Sequence, residues 1–204
     1  MLLRENPTHT KHFFTPSRIA LTALVLSLLV VFGSSSCNST DEISKSREPV
    51  KPAPAATSVL SSAVRDVELR AVTGAPIRLS DYDGKVLLVN LWATWCGPCR
   101  MEIPELVKIH KEYHSKGLEV VGLSTENPDA SAQGVQEFVH EFGMDYRVGW
   151  ATRELSMSLM QGRDAIPQSF IISRDGRILK RFIGFSGVAT PPQLRQAIEE
   201  ALKG

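Results

Sequence analysis

The pair Cys96 and Cys99, within Trp95-Cys96-Gly97-Pro98-Cys99-Arg100, most narrows what this chain can fold into. Before it runs Val86-Leu87-Leu88-Val89-Asn90-Leu91-Trp92, a short apolar run of the kind that forms a strand buried on both faces. After it comes Met101-Glu102-Ile103-Pro104-Glu105-Leu106-Val107, rich in helix formers. The cysteines therefore stand where a strand hands over to a helix N-terminus. Unpaired N–H groups and the positive end of the helix dipole favour a charged sulfur there. The spacing brings the two sulfurs together within one turn, and the chemistry it points to is thiol–disulfide exchange. A lone C-x-x-C is also half of a zinc site, but no second such pair completes it, and no metal or other cofactor is expected.

The chain has 204 residues, 43% hydrophobic and 22% charged, with a formal net charge of +1. That suits one ordinary globular domain plus appendages, and near-neutrality gives no electrostatic case for nucleic acid. The N-terminal appendage is readable. Arg4, Lys11 and Arg18 precede the unbroken apolar run from Ile19 to Phe32, shorter than a bilayer span but suited to a signal-peptide core. Gly33-Ser34-Ser35-Ser36 then leads into Cys37, and small residues ahead of a cysteine resemble the lipobox of bacterial lipoproteins, although Ser34 stands where Leu is usual. Residues 1–36 are thus either a signal peptide, with lipid on Cys37, or an uncleaved membrane anchor. Residues 37–62, rich in Ser, Thr, Pro, Ala and charge, read as a flexible tether. Residues 63–204 are the expected folded domain, lying outside the cytoplasm on a membrane, at the periplasmic or outer face.

Within that domain, Val67-Glu68-Leu69 and Ile77-Arg78-Leu79 read as a small hairpin-like unit around Gly74-Ala75-Pro76. Strand Val86–Leu91, a helix from Cys99 to about Ser115, strand Leu118–Leu123 and a helix opening at Pro128 follow. Tyr146-Arg147-Val148 reads as a strand and Glu154–Met160 as a short helix. Ser169–Ile172 and Arg177–Ile183 flank Arg174-Asp175-Gly176, a hairpin signal, and a helix from Pro191 to Leu202 closes the chain. Alternating strands and helices with a late hairpin give an α/β fold with a mixed central sheet flanked by helices.

Leu88-Val89-Asn90-Leu91-Trp92-Ala93-Thr94-Trp95-Cys96-Gly97-Pro98-Cys99-Arg100, with Glu102, Pro104, the upstream Gly84-Lys85 and the downstream Ile166-Pro167-Gln168-Ser169-Phe170, resembles the TlpA/ResA-like membrane-tethered thioredoxins. The resemblance implies a thioredoxin fold with an N-terminal β extension and a central β/α insertion. It implies an extracytoplasmic oxidoreductase that acts on disulfide-bearing exported proteins, apocytochrome c among the family's substrates, and draws electrons from a membrane donor of the thiol-transfer type. The Gly97-Pro98 dipeptide resembles that of reducing thioredoxins. Asn90 stands where thioredoxins place a buried aspartate, and Glu102 is the acidic residue this subfamily has near its active site.

Cys96, first of the pair at the exposed helix start, is the expected nucleophile and Cys99 the resolving thiol. Gly97 and Pro98 shape the turn. Glu102 reads either as a solvated helix carboxylate or as a partly buried proton partner for Cys99. Ile166-Pro167 precedes a strand; Pro167 is a candidate cis proline or an ordinary trans loop proline. In the resemblance Pro167 packs against the cysteines and the Ile166 backbone pairs with an extended substrate. Trp92 reads as core and Trp95 as the rim of the site. Pro104 removes one helical hydrogen bond, so a kink is expected. His110 and His114 are spaced to bind a metal from one helix face, but no third ligand presents itself in the sequence, and they read as packed or edge residues. The chain is expected to act as a monomer. An oxidising exchanger or a peroxiredoxin-like peroxidase on the same fold is the competing reading.

Overall fold

The computed structural model describes residues 58–204. The apolar run, Cys37 and the tether as far as residue 57 lie outside the described residues. Residues 58–62, expected in the tether, belong instead to the folded part. Ile178 N–H donates to the Ser58 carbonyl at 3.0 Å, Val59 bridges Arg177, and Leu60 is buried. Two apolar residues anchor a segment whose serines otherwise look like linker.

A single turn of helix, α1 (Ser62–Arg65), follows. The expected hairpin-like unit is present only as isolated bridges, Leu69 to Ile77 and Ala71 to Gly149. Gly74 at φ 79° and Pro76, which has no N–H to donate, turn the chain before a ladder can extend. The β extension therefore acts as a clasp, touching Arg177 beside one edge strand and Gly149 within the other. Close approach at Gly149 needs the missing side chain, since a Cβ there would lie 2.9 Å from the Arg70 carbonyl oxygen.

The remaining elements alternate: β1 (Val86–Trp92), α2 (Gly97–Tyr113), β2 (Leu118–Ser124), α3 (Pro128–Glu141), β3 (Arg147–Trp150), α4 (Arg153–Met160), β4 (Gln168–Ile172), β5 (Ile178–Ile183) and α5 (Thr190–Lys203). They give the expected mixed sheet, in the order β3-β2-β1-β4-β5. β1 runs parallel to β2 and β2 to β3, whereas β4 is antiparallel to both β1 and β5. The pair α3 and β3 adds one helix and one edge strand between β2 and α4, which is the expected insertion. Local chemistry sets several ends. Asn127 accepts the N–H groups of Asp129 and Ala130 to start α3, and Thr152 accepts that of Leu155 to start α4. Pro104 lies inside α2 without interrupting it.

Every residue of β1 is buried, as its continuous apolar run requires. Its alternate residues feed two separate cores. Leu87, Val89 and Leu91 pack with Leu60, Leu69, Ile77, Leu79 and α4, while Val86, Leu88 and Trp92 pack with α2, α3 and α5. Truncating one of these leucines to alanine costs about 2–5 kcal/mol. Among the described residues no helix is long and apolar enough to cross a membrane.

Candidate active site

β1 ends at Trp92, and Ala93-Thr94-Trp95 turns the chain into α2. That turn is pinned from β2: Thr94 donates its backbone N–H (2.7 Å) and its hydroxyl (2.8 Å) to the Glu126 carboxylate, and Thr125 N–H bonds the Trp92 carbonyl at 2.9 Å. Cys96 is the N-cap of α2. Its sulfur accepts the Cys99 N–H at 3.2 Å, with Gly97 and Pro98 in the first turn, where proline's missing N–H costs nothing. Cys96 and Cys99 are joined by a disulfide across a Cα separation of 5.2 Å.

The expected exposure of Cys96 is corrected to a narrow edge, 4% against 0% for Cys99. As a cap, the Cys96 side chain folds back over the helix start and bonds Cys99, and the Ile166 carbonyl oxygen stands 3.7 Å from its sulfur. The Ile166–Pro167 bond is cis. Gln168, the first residue of β4, donates its side-chain amide to the Arg163 and Ala165 carbonyls (2.5 and 2.7 Å) and so holds the loop before the proline.

Glu102, one turn along α2 from Cys99, is wholly buried, which rules out the solvated alternative. Asn90 on β1 donates to its carboxylate at 2.8 Å, and Ser169 on β4 at 3.0 Å; Asn90 also donates to Ser169 at 3.0 Å. Removal from water raises the Glu102 pKa to about 7, against the opposing effect of the two hydrogen bonds. A carboxyl group held there exchanges protons near neutrality.

Outside this buried trio the site opens. Trp95 is 72% exposed and Met157 62% exposed. With Ile166, Met160, Glu126 and Arg153 they line a groove of about 740 Å³ beside the cysteines. Trp92 instead is fully buried and stacked on Phe138 at 4.9 Å, as expected for core. The structure thus brings Cys96, Cys99, Glu102, Trp95, Gly97, Pro98, Ile166 and Pro167 together; Cys37 lies outside the described residues. Asn90 and Ser169, though within the strings already noted, carry no local sign of bonding Glu102. Gln168, in the same downstream string, carries no sign of holding the loop before Pro167, and Glu126 gives no signal at all, since a lone acid after a strand is commonplace. Towards the other end of α2, the fold brings Glu119 beside His110 and His114, with one potential donor atom from each within 4.8 Å of the others.

A family model described as Redoxin matches residues 51–198. The chain is 32% identical over 111 residues to a thiol-disulfide oxidoreductase ResA from Bacillus thuringiensis, covering 54% of this chain and 62% of that one. It is 37% identical over 111 residues to the thiol:disulfide interchange protein HelX of Rhodobacter capsulatus, covering 54% and 59%. These matches therefore span less than two thirds of either relative's length. A solved structure from Chlorobium tepidum, described as a thiol:disulfide interchange protein DsbE, superposes with a TM-score of 0.60 at 30% identity, covering 67% of this chain and 93% of that one.

Proposed function

The chain belongs to the Redoxin family, and on that premise we propose that it is a protein thiol–disulfide oxidoreductase whose Cys96 and Cys99 alternate between dithiol and disulfide. The observation that carries this reading is the Cys96–Cys99 disulfide at the N-terminus of α2, facing the Ile166–Pro167 loop. The names of the ResA, HelX and DsbE relatives support it.

In the reduced protein, the helix N-terminus holds the Cys96 sulfur as thiolate. It attacks one sulfur of a partner's disulfide; a mixed disulfide forms and the partner's other sulfur leaves as thiolate. Cys99 then loses its proton and attacks the Cys96 sulfur. The mixed disulfide breaks, the partner's second sulfur leaves, and the Cys96–Cys99 bond closes. Two electrons have passed to the partner, and a thiol-transfer donor in the membrane returns them. Glu102, with a pKa of about 7, is suited to take the Cys99 proton. An extended partner segment pairs with the Ile166 backbone and rests a side chain in the groove beside Trp95 and Met157.

The direction is reducing and the substrates are disulfides of exported proteins, apocytochrome c among them; the Gly97-Pro98 dipeptide, similar to that of reducing thioredoxins, supports the direction, and the apolar run ahead of Cys37 supports export. The domain works outside the cytoplasm, held to a membrane by lipid on Cys37 or by the apolar run from Ile19 to Phe32. Mass spectrometry of membrane-bound protein separates these: a lipidated Cys37 as first residue supports the former, an intact Met1 the latter. For the activity itself, purified protein should catalyse reduction of protein disulfides by dithiothreitol, and Cys96→Ser should not. Sustained hydrogen peroxide turnover without disulfide exchange would contradict the proposal.

A further inference from the structure

The far end of α2 carries a second cluster that disulfide exchange does not use. His110 lies in the last turn of the helix and His114 in the 3₁₀ turn that continues it, their ring centroids 4.9 Å apart. Gly117, at φ 103°, reverses the chain so that β2 starts at Leu118, and Glu119 reaches 3.6 Å from His114 Nδ1. One ligand atom from each of His110, His114 and Glu119 lies within 4.8 Å of the others. Asp145, on the loop before β3, approaches His110 Nδ1 at 3.0 Å.

From this arrangement we propose that His110, His114 and Glu119 bind a divalent late first-row metal ion, Zn²⁺ in the first instance, with water completing the shell. Two imidazoles and one carboxylate form a donor set suited to Zn²⁺ or Cu²⁺, whereas Ca²⁺ and Mg²⁺ call for all-oxygen shells. Asp145 supplies the outer partner that such a histidine needs: by holding the Nδ1 proton of His110 it leaves Nε2 with its lone pair for the metal. Lys111 Nζ, 4.0 Å from the other Asp145 oxygen, leaves that contact intact. The site also stands at the C-terminal end of α2, where the helix dipole favours a cation. Tetrahedral zinc with bonds of about 2.0–2.2 Å sets its ligands roughly 3.3 Å apart. The present spread closes by rotating His114 and Glu119, whose side chains are 55% and 24% exposed. Once bound, the metal ties the end of the cysteine-bearing helix to the start of β2, and because the unfolded chain lacks the site, metal binding stabilises the fold.

The test uses the tag-free full chain with the Cys96–Cys99 disulfide closed and remaining thiol blocked by iodoacetamide, so that no thiolate competes. Calorimetric titration with Zn²⁺ should give one equivalent at this site, and Co²⁺ should give the visible bands of a low-coordinate nitrogen and oxygen shell. His114→Gln and Glu119→Gln alter solvent-facing side chains and should fold normally. Each should weaken Zn²⁺ binding by about tenfold or more, and Asp145→Asn by roughly 10- to 100-fold without touching the metal. Disulfide exchange should be unchanged in all three. Absence of binding by the unaltered chain would overturn the proposal. So would undiminished binding in both His114→Gln and Glu119→Gln, which would move the metal to His9, His12 or His140.

Discussion

Glu102 and Trp95 flank the same cysteine pair in sequence, yet the first is wholly buried and the second 72% exposed. The buried side is a closed polar knot of Glu102, Asn90 and Ser169, built from three elements of the fold. The exposed side is an apolar rim of Trp95 and Met157 around an open groove. Burial gives a carboxyl group an unusual proton affinity but no access to a partner. Exposure gives an aromatic side chain access to a partner but little leverage on the chemistry. The inner wall should therefore set how the thiols titrate, and the outer wall which proteins they meet.

The largest expected effect comes from the inner wall. The folded chain holds the Glu102 proton up to a pH of about 7, whereas the unfolded chain releases it near 4.5. Between those values the folded state binds more protons, so Glu102 makes stability fall as pH rises through the window. Below it the penalty is absent; above it the full cost, about 3 kcal/mol, remains. Urea unfolding of the oxidised protein from pH 4.5 to 8 should show this slope, and Glu102→Gln should lose it. Parallel profiles would break the contrast by making Glu102 an ordinary carboxylate.

Next is the effect on the thiols. An ionised carboxylate near Cys99 opposes a second negative charge, so in Glu102→Gln the reduced thiols should ionise about one pH unit lower. The redox potential should rise with it, roughly 30 mV for each 1.4 kcal/mol. Alkylation rates against pH, with potentials poised by glutathione, measure both, and superimposable titrations would remove Glu102 from the chemistry. Turnover should still fall, because the proton partner of Cys99 is gone.

The rim should behave oppositely. Trp95→Ala should change unfolding stability by no more than about 0.5 kcal/mol, since its side chain is largely in water. It should raise KM for a protein disulfide by roughly five- to tenfold while leaving reaction with a small aromatic disulfide untouched. Met157→Ala should show the same selectivity at less than about fivefold. Equal losses on large and small disulfides would mean that the rim acts on chemistry after all.

What the sequence discloses follows the range of the interactions. β1 and the start of α2 are legible because a continuous apolar run and a cap with proline behind it are local signals. Trp92 and Trp95 separate correctly because one ends the apolar run and the other stands at the helix start. Asn90 is visible as a polar residue in an apolar strand, at the place of a thioredoxin's buried aspartate; its partners, Glu102 on a helix and Ser169 on a distant strand, are assembled by the fold. The same holds for Glu126, which clamps Thr94 from the end of β2, and for Glu119, which reaches the histidines only because Gly117 turns the chain back. The N-terminal unit is legible as a turn between Leu69 and Ile77, but its reach to Arg177 and Gly149 rests on single bridges at Val59 and Ala71 that leave no local sign. Cys96 is less open than its position suggests, because forming the cap and the disulfide draws its side chain inward.

That Cys96 attacks and Cys99 resolves is tested most directly by trapping mixed disulfides in cells that express the full chain. With the resolving thiol removed, a Cys99→Ser variant should accumulate mixed disulfides through Cys96, resolvable by reduction and identifiable by mass spectrometry, whereas Cys96→Ser should accumulate none. Equal trapping by the two variants, or trapping by Cys96→Ser alone, would contradict the assignment.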